Sequence, residues 1–171
     1  TWVYLDERSA GFFALGVGKV TRSPAAVITT SGTATANLLP SVIEASLSNV
    51  PLLILTADLP LRLRGSDANQ TIDQKGLYGS YPRMSLDAGD PVREGLCNVR
   101  TLACRAVDVA LGPAAGPVHV NLPFDKPLDP VEMGVASLRN SDPLGVDGRA
   151  DGGPMEVFQA HRSPPSMRVG M

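Results

Sequence analysis

The chain has 171 residues, enough for one domain with its own core, and its 43% hydrophobic and 19% charged residues are those of an ordinary globular protein. A net charge of −2 excludes the clustered lysine and arginine of a nucleic-acid surface. No apolar run approaches the roughly 20 residues of a membrane span or has the pattern of a secretory core.

The β-prone run Thr1–Leu5 predicts a short buried strand that ends at Asp6-Glu7-Arg8. A domain rarely opens on such a strand, so the start predicts sequence missing ahead of it. From Glu7 to Val20, the apolar positions Ala10, Phe13, Ala14 and Val17 follow helical spacing. Ala25–Thr29 reads as a short buried strand. Ser31-Gly32-Thr33 then supplies cap and turn chemistry for a helix in which Leu39, Val42, Ile43 and Ser46 share a face. Pro40 falls within about two turns of its start, where a missing amide is partly tolerated. The run Pro51–Thr56 is a continuous apolar strand of the kind covered on both faces.

After Asp58 comes a polar loop holding Ala68-Asn69-Gln70-Thr71-Ile72-Asp73-Gln74, and then a weak strand at Met84–Asp87. Val92–Leu111 shows helical spacing, with apolar or small residues at 92, 96, 99, 103, 106 and 110. Val118–Leu122 forms a last strand. Strands alternating with helices predict an α/β fold with an open, doubly wound, mostly parallel sheet over residues 1–130. Residues 131–171 shift to Gly, Pro, Asp, Arg and Ser without periodicity, which predicts a disordered tail or linker. Cys97 and Cys104 lie seven apart on one helix face, about 10 Å along the axis, too far for a disulfide. Two thiols without further ligands make no metal site.

Glu7 follows a strand and opens a helix, the position where ligands collect in parallel α/β sheets. It and Asp6 could equally complement the helix N-terminus from a solvated face, the commoner role for charges at element ends. Gly32 admits either a ligand or a neighbouring backbone, or is simply a tight turn. Asn69, Gln70 and Gln74 are neutral amides able to bind a carboxylate or hydroxyl. His119 alternates with Val118 and Val120 and reads as a satisfied structural histidine, and His161 lies in the tail. With no GxSxG, HExxH, P-loop or GxGxxG pattern, the chemistry must come from a cofactor.

Five stretches together resemble one family: DERSAGFFALGVGK at 6–19, TSGTATANLLPSVIEA at 30–45, PLLILTAD at 51–58, ANQTIDQ at 68–74 and GPVHVNLPFDKPL at 116–128. They are similar to the thiamine-diphosphate-dependent 2-succinyl-5-enolpyruvyl-6-hydroxy-3-cyclohexene-1-carboxylate synthases of menaquinone and phylloquinone biosynthesis. The glutamate and glycine turn are common to thiamine enzymes at large. The ANQTIDQ loop and the GPVHVNLPF strand select this family. The resemblance implies a pyrimidine-binding domain in which Glu7 hydrogen-bonds N1′ of the cofactor and acts catalytically by tuning it. It implies that Gly32 and Thr33 lie against the cofactor and that Asn69 and Gln70 bind substrate. It further implies a transferase that decarboxylates 2-oxoglutarate and adds the succinyl unit to isochorismate. Mg²⁺ would be held by a domain absent from this chain, and the full enzyme would be a homodimer or homotetramer.

Two departures qualify this. Where the family's LTAD is usually followed by an arginine that holds acidic substrate, Leu59 stands here, and a leucine cannot pair with a carboxylate. The family's opening Gly-Ser-Arg-Ser loop, central domain and diphosphate-binding GDG motif are also absent from these 171 residues. The isolated chain is therefore expected to be inactive and, with an open sheet edge, poorly soluble. A catalytically silent pyrimidine-type binding or dimerisation module, or another thiamine enzyme of the acetolactate synthase type, remain the alternatives. The compartment would be cytoplasm in a bacterium and plastid stroma in a plant or alga.

Overall fold

The computed structural model describes residues 1–90, 96–126, 128, 139 and 143–151. Helix α1 (Glu7–Thr21) is followed by β1 (Ala25–Thr29), α2 (Thr33–Ala36), α3 (Leu39–Leu47), β2 (Leu52–Asp58), β3 (Met84–Asp87), α4 (Leu96–Leu111), β4 (Pro117–Pro123) and a short α5 (Pro143–Asp147). The four strands form one all-parallel sheet in the order β1-β2-β4-β3. The fold is α/β with helices on both faces, as the alternation of patterns implies.

Register sends alternate side chains of β2 to opposite faces. Leu52 and Ile54 join Val27 and the α1 and α3 residues Ala14, Leu15, Val42 and Ala45 in one core. Leu53 and Leu55 meet Val118, Val120 and the α4 residues Ala106 and Ala110 on the other side. The first core is tight where α1 ends. A Cβ on Gly18 would stand 2.6 Å from the Pro51 carbonyl oxygen, so only glycine lets the helix approach the start of β2.

Two sequence-based expectations need correction. Residues 1–5 form no strand, and Trp2, Val3 and Leu5 are exposed. Trp2 and Tyr4 instead set their rings 5.4 and 5.1 Å from Phe13 on α1. The helix after Gly32 is two helices broken at Asn37-Leu38, with Pro40 in the first turn of α3. A proline there has no amide to offer and its ring crowds the carbonyl four residues back, so the chain restarts rather than continuing. The long helix runs from Leu96, and its expected first residues 92–95 lie outside the described residues, as does the Cys97 side chain. Cys104 is a free, half-buried thiol. Most of the expected tail, His161 included, also falls outside the described residues. Within it α5 forms, tied to α4 where Arg100 Nη2 donates to the Val146 carbonyl at 2.9 Å.

Toward the carboxyl ends of β2 and β4, the face shared with α1 and α3 turns polar. Thr56 pairs in register with Asn121, and Ile54 with His119. Buried Gln74 reaches in from the loop and joins three strand ends. Its Oε1 accepts the Gly32 N–H at 2.7 Å, and its Nε2 donates to the Ala57 carbonyl at 3.0 Å and to Asn121 Oδ1 at 2.8 Å. Asn121 Nδ2 donates to Asp58 Oδ2 at 2.8 Å, which fixes the orientation of its amide because a carboxylate only accepts. Thr56 Oγ1 donates to Asn121 Oδ1 at 3.0 Å and lies 2.8 Å from His119 Nε2. Its single proton is thereby spent, so His119 donates through Nε2–H. The imidazole packs edge-on against Tyr78, centroids 4.8 Å apart, and the Tyr78 hydroxyl donates to the Thr35 carbonyl at 2.7 Å. Arg64 closes the layer, with Nη1 donating to Asp87 Oδ2 at 2.7 Å and Nη2 lying 2.9 Å from Asp58 Oδ2.

Burial lowers the His119 imidazole from its ordinary 6.5 to about 4, against the opposing pull of the Asp87 and Asp58 carboxylates. The unfolded chain takes up a proton near 6.5 and the folded chain only near 4, so stability is full above 6.5 and falls as pH drops through this window. Urea melts between pH 7 and 4.5 should register a loss approaching about 3 kcal/mol, and His119→Gln should flatten that slope. Gln74→Leu should cost about 1–3 kcal/mol at any pH in that range through the orphaned Gly32 amide alone, read as a lower urea midpoint.

Candidate active site

A cleft of about 470 Å³ opens over the carboxyl ends of β1, β2 and β4. Open parallel sheets place ligand sites there because the loops that leave the strand ends diverge. Thr30 and Ser31 line it after β1, Ala57–Pro60 at the end of β2, and Phe124–Lys126 after β4. The loop after β2 adds Arg62, Leu63, Asn69 and Gln70.

Gln70 is held against the β1 end from both its backbone and its side chain. The Ser31 hydroxyl donates to the Gln70 carbonyl at 3.1 Å, while Gln70 Nε2 donates to Thr30 Oγ1 at 3.3 Å and to the Ser31 carbonyl at 3.4 Å. These contacts keep Gln70 at φ 59°, a left-handed conformation costly for a residue with a Cβ. Gly32, at φ 77° and ψ −142°, is what permits the approach. A Cβ there would lie 3.0 Å from the Gln70 carbonyl oxygen. Gly32 thus serves a close approach of backbone to backbone, with its N–H committed to Gln74.

The five candidate residues fall into two groups. Asn69 and Gln70 line the cleft, and Gly32 is buried beneath Gln70. Glu7 and Thr33 are not part of its wall. Helix α1 packs back along β1, which places Glu7 toward the carboxyl end of the sheet. Asp6 and Glu7, adjacent in sequence, have different fates. Asp6 caps α1 by accepting the Arg8 N–H at 2.9 Å and pairs with the Arg8 guanidinium, whose hydrogen bonds hold its carboxyl down to about 2. Glu7 is half-buried, and its Oε2 accepts from Asn37 Nδ2 at 3.2 Å across the break between α2 and α3. Among the described residues nothing donates to Glu7 Oε1. One oxygen is anchored while the other is open to an N–H from a ligand. Thr33, at the first position of α2, is exposed on the same edge.

Gln74, which as a loop amide could have faced a ligand, is instead fully engaged within the protein. The polar layer of Thr56, Asp58, His119 and Asn121 was also not anticipated beyond a satisfied histidine. Its signal is present in the sequence as polar residues two apart on each of two otherwise apolar strands, which puts all four on one face. Burial would raise the Asp87 carboxyl, but hydrogen bonds from Arg64 and the Gly89 amide hold it below the ordinary range. The bond to Asp87 likewise raises the Arg64 guanidinium. Among the described residues no group of three or more His, Cys, Asp or Glu could hold a metal ion, and no helix is long and apolar enough to cross a membrane.

Comparison with known proteins connects this geometry to a lineage. Residues 1–77 match the family model of the thiamine pyrophosphate enzyme N-terminal TPP binding domain. A Halobacterium salinarum protein named 2-succinyl-5-enolpyruvyl-6-hydroxy-3-cyclohexene-1-carboxylate synthase is 53% identical over 163 residues, 92% of this chain and 28% of its own. Proteins of the same name from Chloroflexus aurantiacus and Salinibacter ruber are 52% and 50% identical over 85% and 88% of this chain, in each case 25% of theirs. The chain thus spans about a quarter of the length of these relatives. It belongs to the 2-succinyl-5-enolpyruvyl-6-hydroxy-3-cyclohexene-1-carboxylate synthase family of thiamine pyrophosphate enzymes, which it joins through their N-terminal cofactor-binding domain.

Proposed function

We propose that this chain is the pyrimidine-binding part, residues 1–130, of a carboligase that decarboxylates 2-oxoglutarate and adds the succinyl-semialdehyde unit to isochorismate in menaquinone or phylloquinone biosynthesis. The observation that carries this reading is the half-buried Glu7 carboxylate, held by Asn37 through one oxygen and open at the other. Its donor chemistry fits an aminopyrimidine, whose ring nitrogen N1′ presents a single N–H when protonated. Thiamine diphosphate, when bound, supplies a carbon nucleophile that no side chain offers. Glu7 holds the proton at N1′ and so biases the ring's amino group toward acting as a base. Thr33, exposed at the start of α2, and the backbone of the Gly32 turn border that position, the Cβ space at Gly32 being filled by Gln70. Asn69 and Gln70 face the acceptor substrate from the cleft, the Asn69 amide able to bind a carboxylate or hydroxyl and Gln70, whose Nε2 is spent on Thr30 and Ser31, able to accept from a hydroxyl through Oε1. Mg²⁺ and the cofactor diphosphate take their ligands from outside this chain, and the complete site lies between subunits of a homodimer or homotetramer.

The test is a chimera in which residues 1–129 of this chain replace the matching segment of the Halobacterium salinarum synthase. Carbon dioxide release from 2-oxoglutarate in the presence of isochorismate should be recovered, whereas the 171-residue chain alone should show none. A folded but inactive chimera would favour a silent binding module instead. Within an active chimera, Glu7→Gln should lower kcat by about a hundredfold or more, because the amide cannot hold the N1′ proton.

A further inference from the structure

The cleft over the strand ends contains a guanidinium that neither the fold nor the polar layer consumes. Arg62 follows the strand end in a single 3₁₀ turn, Leu61–Leu63, and its side chain is 61% exposed. Nη2 alone contacts the Asp125 carboxylate, 2.6 Å from each oxygen. Among the described residues, Nε and Nη1 make no hydrogen bond. Asp125 holds the group at the cleft without using it up, and in return its own carboxyl is held below the ordinary range. Arg64, two residues on, differs: it is only 23% exposed and is shared between Asp58 and Asp87. The cleft floor at position 59 is leucine, which offers an anion nothing. Lys126 stands on the same wall as Asp125.

We propose that Arg62 is the carboxylate-docking residue of this cleft, receiving a small organic acid on its unpaired guanidinium nitrogens while Asn69 and Gln70 bind its polar groups. Asp125 is a positioning residue that also limits affinity, since its negative charge lies against the same guanidinium as the incoming anion. This deepens the proposed function and rests on its reading of the cleft as the substrate pocket. Both two-pronged edges of a guanidinium include Nη2, which Asp125 holds, so the docking contact is a single charge-assisted hydrogen bond from Nε or Nη1. Arg62 and Leu59 both border the cleft, so the anion contact that position 59 cannot make is available three residues later.

The experiment is a titration of the ¹⁵N-labelled 171-residue protein with succinate, and with neutral succinamide as control, following the Arg62 Nε–H and the Asn69 and Gln70 side-chain amides. Succinate should shift all three and succinamide none of them. Arg62→Gln should weaken succinate by about tenfold or more, the value of a charge-assisted contact, and Arg62→Lys should recover part of it. Asp125→Asn should tighten binding severalfold at low salt, a direction that a purely structural ion pair would not produce. Both side chains are largely exposed, so unchanged backbone spectra elsewhere identify folded variants. Equal succinate affinity in wild type and Arg62→Gln overturns the docking role while leaving the cleft as a substrate pocket. Failure of succinate to shift Asn69 and Gln70 in any variant overturns both readings.

Discussion

The carboxamide of Gln74 is the constraint from which the rest of this structure follows. It gives its oxygen to the amide of Gly32 after β1 and its nitrogen to Ala57 on β2 and Asn121 on β4. Three strand ends and one loop are thereby fastened by a single buried side chain. Leaving these groups unpaired in a dry interior would cost more than the net value of the bonds themselves. The loop between β2 and β3 is therefore obliged to fold back across the sheet. In doing so it delivers Asn69 and Gln70 to the cleft, and the left-handed strain at Gln70 is carried by the network around it.

The same logic explains why so much polar material is tolerated on this face. Asn121 has both ends of its amide satisfied, Thr56 both donates and accepts, and His119 enters as a neutral donor with Tyr78 at its edge. A half-satisfied layer would be worse than an apolar one, and this layer has few gaps. The Arg64 pairs with Asp58 and Asp87 bind the start of the loop to β2 and β3. Their worth lies in the position they specify more than in net stability, because removing charges from water offsets most of the attraction. Two arginines two residues apart are thus separated in role by burial: Arg64 locks the loop, while Arg62 stays at the cleft with most of its donors open.

Glu7 reaches its place by a different route. Asp6 takes the capping position, and the turn of the helix swings the next side chain away from the cap toward Asn37. Asn37, at the end of α2 with its backbone still helical, reaches across to Glu7. Glu7 contacts Asn37 and is not part of the cleft wall that Asn69 and Gln70 line, which separates the proposed cofactor contact from the proposed substrate contact.

The sequence by itself determined the alternation of helices and strands, the parallel sheet and its two apolar cores. Those features are written in local periodicity and caps: the apolar run at 52–55, the spacing in α1 and the turn at Gly32 need no distant partner to be read. The resemblance of the five motifs likewise located Glu7, Gly32, Thr33, Asn69 and Gln70 as residues worth finding. Tertiary structure alone decided which of two loop glutamines, four residues apart, faces the cleft and which is spent inside, because this depends on Asn121, which lies 47 residues beyond Gln74. It also decided that Thr1–Leu5 does not join the sheet. Aromatic packing on Phe13 took those residues instead. Periodicity is a property of neighbours along the chain, whereas the partner of a buried polar group is set by strand register across the sheet.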